Sequence, residues 1–283
     1  MSEAKAPMSA LSSGSPLEIE NMSFNTNTSL WPGYRSIKNL FVFGDSYSAI
    51  GFAANLPPPK KVDRNSVPFK GLTYADHDGT NWVGHLLMHH DPHPDILVYD
   101  YAVNENFLSG HAMTRGPEGL PWSPTDSLFV TWIGINDCAY ARTHTETIEL
   151  LFSLEEKLYE AGARIFMFID VPPIGRMPAG NETGINASSD ISPTYINWNS
   201  ELRQSVENFA SAHQDARILT FSAFQAFSEV LDNPKTYGLR QKDTVSAGGA
   251  VWRDKLHPTS KVHEIVADKV VAFLKSMDTT VIT

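Results

Sequence analysis

The 283-residue chain has a single cysteine, Cys138, which excludes an intrachain disulfide framework and a multi-cysteine zinc site. Charge is sparse: 19% of residues are charged, and 22 Lys and Arg face 32 Asp and Glu, for a formal net charge of −10. With an acidic balance and no long Lys/Arg cluster to meet phosphate, nucleic acid is disfavoured as a partner. No uninterrupted apolar run approaches ~20 residues, so no segment is expected to span a membrane. Residues 1–16 are small and polar and lack the apolar stretch of a secretory signal, so the expectation is a cytoplasmic protein. Asn-x-Ser/Thr triplets start at Asn21, Asn27, Asn181 and Asn186, but such triplets are common by chance.

What is present is a globular composition. Hydrophobic residues make up 42% of the chain and aromatics 11%, too much for a disordered acidic chain and enough for a sizeable core. Residues 1–30, rich in Ser, Asn, Thr and Pro, read as a flexible N-terminal arm, and residues 31–283 as a single domain.

Five short apolar runs suit strands buried on both faces: Leu40–Phe43, Ile96–Tyr99, Leu128–Ile133, Arg164–Ile169 and Arg217–Phe221. Between them lie helical patterns. Ile148, Leu151, Phe152, Leu158 and Tyr159 share one stripe of a helix over about 144–161, with Gly162 where it would stop. A second helix covers 193–212, and Val262, Ile265, Val266, Val270 and Phe273 mark a third. Alternation of strand and helix gives an α/β fold, a parallel sheet with helices on both faces. The Pro- and Gly-containing stretches 53–80 and 110–125 read as long loops, and such loops are often functional.

Three short blocks carry chemistry. Gly44-Asp45-Ser46-Tyr47-Ser48 follows the first strand, at the sheet edge where active sites of open α/β folds gather. A serine there can present its hydroxyl at a helix start, although an N-cap serine looks the same in sequence. In Asp254-Lys255-Leu256-His257 the carboxylate can orient the imidazole and stabilise its cation; alone, the pair also reads as a surface Asp and a helix-start His. In Gly134-Ile135-Asn136-Asp137 the Asn amide can donate to an oxyanion, or the block can be a turn. Serine, amide donor and Asp-x-x-His flank elements of one sheet, and a shared site requires one domain.

With these blocks the chain resembles the SGNH, or GDSL, hydrolases, and among them the fungal acetylesterase-like branch, carbohydrate esterase family 16. The resemblance runs from about Trp31 to Leu274 and is carried by Leu40-Phe41-Val42-Phe43-Gly44-Asp45-Ser46-Tyr47, Gly134-Ile135-Asn136-Asp137, Val171-Pro172-Pro173-Ile174-Gly175 and Asp254-Lys255-Leu256-His257-Pro258-Thr259. It implies a flavodoxin-like three-layer α/β/α sandwich with a central parallel sheet, and ester hydrolysis of a small-molecule or acylated substrate with no cofactor and no metal. By position it makes Ser46 the nucleophile, His257 the general base and acid, and Asp254 the group that orients it. The Ser46 N–H and the Asn136 side chain would donate to the oxyanion. One block departs from the pattern. In Tyr101-Ala102-Val103-Asn104-Glu105-Asn106, Glu105 stands where the family has a glycine whose N–H completes the oxyanion hole. Glu105 keeps a backbone donor but not the conformational freedom of glycine, and its carboxylate would oppose a developing negative charge.

Plainer readings fit the remaining features. His89, His90, Asp91, His93 and Asp95 are stiffened by two prolines and lack regular ligand spacing, so a structural loop is expected. Cys138 is expected to be a small buried residue, Asp45 a support for its turn, and Trp82, Trp122, Trp132, Trp198 and Trp252 core residues as readily as sugar platforms. Two further functions stay open at this stage: an intracellular biosynthetic thioesterase, acyltransferase or cyclase of the same fold, and a non-catalytic binding protein.

Overall fold

The computed structural model describes residues 21–25, 31–52, 59–60, 71–77, 79–88, 96–102, 122–141, 143–181 and 192–278. Its six strands are β1 (Met22–Phe24), β2 (Asn39–Gly44), β3 (Leu97–Asp100), β4 (Ser127–Trp132), β5 (Ile165–Ile169) and β6 (Arg217–Phe221). They form one sheet in the order β1-β6-β5-β4-β2-β3. The strands β2 to β6 are all parallel, and their order is the flavodoxin-like doubly wound one. All five expected strands are present, each within a residue or so of the apolar run that encodes it.

The parallel sheet expected from the sequence is present in β2 to β6, and at its edge β1 adds one antiparallel strand, paired with β6. Residues 21–25, inside the stretch expected to be a flexible arm, are pinned by side chains. Asn21 Oδ1 accepts from Ser222 N at 2.7 Å. Asn25, at φ 53°, donates from Nδ2 to the carbonyls of Ala210, His213 and Ala216. Those carbonyls lie at and just past a helix C-terminus, where they lack partners within the helix. Three residues paired through polar side chains leave no apolar run to read in the sequence.

The helices are α1 (Trp82–Met88), α2 (Ile135–Tyr140), α3 (Thr145–Glu160), α4 (Pro178–Asn181), α5 (Ser192–Ala212), α6 (Ala223–Asp232) and α7 (Ser260–Ser276). Successive strand residues point to opposite faces, and β4 shows what lies on each. Thr131 donates to Glu155 of α3, while Trp132 packs against Trp82 of α1. The stripe Ile148, Leu151 and Leu158 of α3 is buried, as its spacing predicts. Phe152 and Phe209 of α5 meet Phe168 of β5, and Phe273 of α7 meets Phe221 of β6. Across the sheet, in register, Tyr99, Phe41, Phe129 and Phe166 form an aromatic row. Trp82, Trp132, Trp198 and Trp252 are wholly buried and Trp122 packs against the core, so none is an exposed platform. Among the described residues, no helix is long and apolar enough to cross a membrane.

Candidate active site

The sheet order reverses between β2 and β4, and ligand sites of doubly wound folds lie outside the carboxyl ends of the strands at that point. Gly44 and Trp132 pair in register there. Ser46 lies two residues past Gly44, and Asn136 four past Trp132.

A local turn fixes Ser46. The Asp45 carboxylate accepts from Tyr47 N at 3.0 Å, and its carbonyl accepts from Ser48 N and Ala49 N. The Tyr47 side chain then crosses the site, donating from its hydroxyl to Leu256 O at 2.6 Å. That bond ties the turn after β2 to the loop between Asp254 and His257. The loop also closes on itself: Arg253 N donates to His257 O, Thr259 N to Val251 O, and Thr259 Oγ1 to Ala250 O. The Val171-Pro172-Pro173 block supports it from the β5 side. Asn199 brackets Val171 with two 2.8 Å bonds, and Ala179 N, a few residues further on, donates to Lys255 O.

The result is a continuous chain of three side chains from opposite ends of the sequence. Ser46 Oγ is 2.8 Å from His257 Nε2, and His257 Nδ1 is 2.9 Å from Asp254 Oδ2. Asp254 Oδ1 also accepts from Leu256 N and His257 N. Burial works to raise the Asp254 carboxyl, but these N–H groups and the His257 ring outweigh it and hold the group below its usual range. An ionised Asp254 favours the proton on Nδ1 of His257, an arrangement in which Nε2 can accept the Ser46 proton.

Asn136 lies in the first turn of α2. Its Nδ2 is buried and has no hydrogen-bond partner among the described residues. Gly134 sets this turn at φ 119°, and a Cβ there would lie 2.3 Å from the Trp198 ring, so both backbone and space demand glycine. Glu105 and the His89–His93 segment lie outside the described residues. Cys138 is buried, and burial pushes its thiol up, with Asp137 and Glu201 adding to the shift; a thiol kept protonated is a poor nucleophile.

One contact at the site has no signal in the sequence. Tyr74 stacks on His257 with ring centroids 5.2 Å apart and planes at 28°. It lies in the 53–80 stretch that reads as a long loop, which marks the region but not the residue.

The edge is also rich in buried ionisable groups. Burial raises Asp45 to about 7, with the Tyr47 N–H offsetting part of the effect and Asp137 adding to it. Burial likewise raises Asp170 and Glu155 to about 7 and lifts Asp100 well above its usual value. His263 of α7, also buried, is lowered to about 3, with His85 and His257 contributing. A carboxyl raised in the folded state contributes stability that is complete below its unfolded value, about 4, and is lost as pH rises through the folded value. The lowered His263 acts the other way, its stability being complete above about 6.5 and lost as pH falls towards the folded value. Between pH 5 and 8 four carboxyls therefore oppose two imidazoles, His263 and His144, both lowered by burial. The denaturation midpoint should be higher at pH 5 than at pH 8, and a midpoint that climbs over this window would contradict the assignment of buried neutral carboxyls.

Comparison with known proteins gives the family. The chain belongs to the GDSL-like lipase/acylhydrolase family, whose model matches residues 40–270, and so is a hydrolase acting on ester bonds. It is similar to an acetylesterase of Thermothelomyces thermophilus, 27% identical over 268 residues that cover 83% of this chain and 87% of that protein. A GDSL esterase/lipase of Arabidopsis thaliana is 25% identical over 145 residues, 41% of this chain and 40% of the plant protein. Among solved structures, a catalytic mutant of Axe2, an acetylxylan esterase from Geobacillus stearothermophilus, superposes with a TM-score of 0.56 at 18% identity, covering 84% of this chain and 94% of that one. LAE5, an alpha/beta hydrolase enzyme from the metagenome of Lake Arreo, Spain, gives 0.55 at 14% identity, covering 85% and 96%. At such identities the two structures speak for the fold.

Proposed function

We propose that the protein cleaves acetyl or other short-chain esters by a Ser46-His257-Asp254 mechanism carried on residues 31–283 as one domain. The observation behind it is the unbroken hydrogen-bond chain from Ser46 Oγ through both ring nitrogens of His257 to Asp254. His257 Nε2 takes the Ser46 proton as Oγ attacks the ester carbonyl, and the tetrahedral oxyanion forms. The Ser46 N–H and the partnerless Nδ2 of Asn136 donate to it. Collapse expels the alcohol with the proton now on Nε2. Water, deprotonated by the same nitrogen, then attacks the acyl-enzyme and releases the acid. Asp254 keeps Nδ1 protonated throughout and stabilises the imidazolium. The base must be neutral to act.

The short acyl group rests on the likeness to the fungal acetylesterase. The test is a series of p-nitrophenyl esters assayed with and without EDTA. Acetate should be turned over, kcat/KM should fall as the acyl chain lengthens, and EDTA should leave the rates unchanged, since this reading routes no step through a metal. A preference for long chains would overturn the acetyl assignment, and loss of activity in EDTA that zinc restores would overturn the mechanism.

A further inference from the structure

The hydrogen bonds of the His257 ring, from Nδ1 to Asp254 and from Nε2 to Ser46, lie at its edge and leave its faces to other contacts. What meets the ring itself is aromatic. Tyr74 lies nearly flat on it at 5.2 Å and 28°, and Tyr47 approaches at 6.0 Å and 50°. We infer that Tyr74 is a positioning residue for the hydrolysis, holding the His257 plane in line with Ser46 and stabilising the imidazolium that forms as the serine proton is taken. The inference rests on the reading of Ser46 and His257 as the reacting pair.

Three observations carry it. First, the segment bearing Tyr74 is tethered on both sides of the ring. Leu72 N donates to Ile50 O at 2.9 Å, and the Asp76 carboxylate accepts from Ser260 N at the start of α7. Ser260 Oγ in turn accepts from Thr80 N and donates to Thr80 O, so the strap is bound to the same helix that follows the His257 loop. Second, Tyr74 is half-buried and its hydroxyl has no hydrogen-bond partner among the described residues, so its flat contact with His257 is the specific interaction it makes. Third, an aromatic face carries negative charge density and attracts a cation lying over it. The attraction to neutral imidazole is weaker, so the ring favours the transition state over the ground state, which raises kcat and leaves KM alone. Among the described residues, the other groups around His257 are the Asp254 carboxylate, the Ser46 hydroxyl, the Tyr47 ring and His263 of α7, which burial keeps neutral. Of these and Tyr74, Asp254 and the Tyr74 face favour the charged ring.

The experiment uses the full chain. A fluorophosphonate that labels wild type but not Ser46→Ala first establishes the reacting serine; labelling that persists in Ser46→Ala would remove the reading beneath the inference, whatever Tyr74 does. With that in place, Tyr74→Leu should lower kcat on p-nitrophenyl acetate about ten-fold with KM little changed, while Tyr74→Phe, which keeps the π face, should stay near wild type. The second-order rate of fluorophosphonate labelling should fall in the same order. In NMR spectra the His257 ring protons should be shifted upfield by the stacked ring in wild type and Tyr74→Phe, and should move downfield in Tyr74→Leu. Tyr74→Met serves as the second non-aromatic variant should Tyr74→Leu fail to fold. Wild-type kcat in the non-aromatic variants, a change confined to KM, or His257 resonances indifferent to the substitution would each overturn the inference.

Discussion

Replacing Ser46 with Ala should lower kcat on p-nitrophenyl acetate by about 10⁶-fold, the scale on which loss of an activated serine is felt in enzymes that use one. On the proposed mechanism His257→Ala should do the same, and the double mutant should be no slower than either single one, because the serine would be a nucleophile only while the imidazole takes its proton. The folded state should barely register the loss. Ser46 is buried, but among the described residues its Oγ hydrogen-bonds to the His257 ring, and the turn around it is held by Asp45 and Tyr47. Asp254→Ala impairs turnover as well, since it frees the imidazole to adopt the wrong tautomer. Wild-type turnover by a correctly folded Ser46→Ala protein would end the serine mechanism here.

The second large effect is at Asn136. Asn136→Ala should reduce kcat by about 10²–10³ while leaving KM and the thermal midpoint close to wild type. A buried donor with no partner adds nothing to the resting fold and costs something to desolvate, so its removal is not a loss of stability. The donor meets an acceptor only when the carbonyl oxygen becomes an anion, which is why the effect falls on kcat. Unchanged kcat in Asn136→Ala would remove the side chain from the oxyanion hole.

Much of this was legible in the sequence, for a physical reason. Strands of a parallel sheet are covered on both faces, so each writes a continuous apolar run, and Leu40–Phe43 or Arg217–Phe221 can be read directly. Ser46, Asn136, Asp254 and His257 follow or flank such elements in short blocks, and the turns they occupy need particular residues, as Gly134 shows. The strand Met22–Phe24 was not legible, because Asn21 and Asn25 hold it by polar contacts to residues about 190 to 200 positions away. Nor was Tyr74, whose partner His257 is brought to it only by the folded strap. The buried carboxyls escaped for a related reason. Asp100 ends β3 and Asp170 directly follows β5, where an acidic residue reads as the start of a solvated loop, yet both are enclosed. Their burial makes the folded state favour low pH.

The central claim is a covalent intermediate on Ser46, and it can be weighed directly. The protein is mixed with excess p-nitrophenyl acetate, quenched in acid within the burst of p-nitrophenol release, and mapped by peptide mass spectrometry. The account predicts one acetyl group, on the peptide that contains Ser46, absent from Ser46→Ala. Turnover that proceeds with no acetyl on Ser46, or with the acetyl on another side chain, would contradict it.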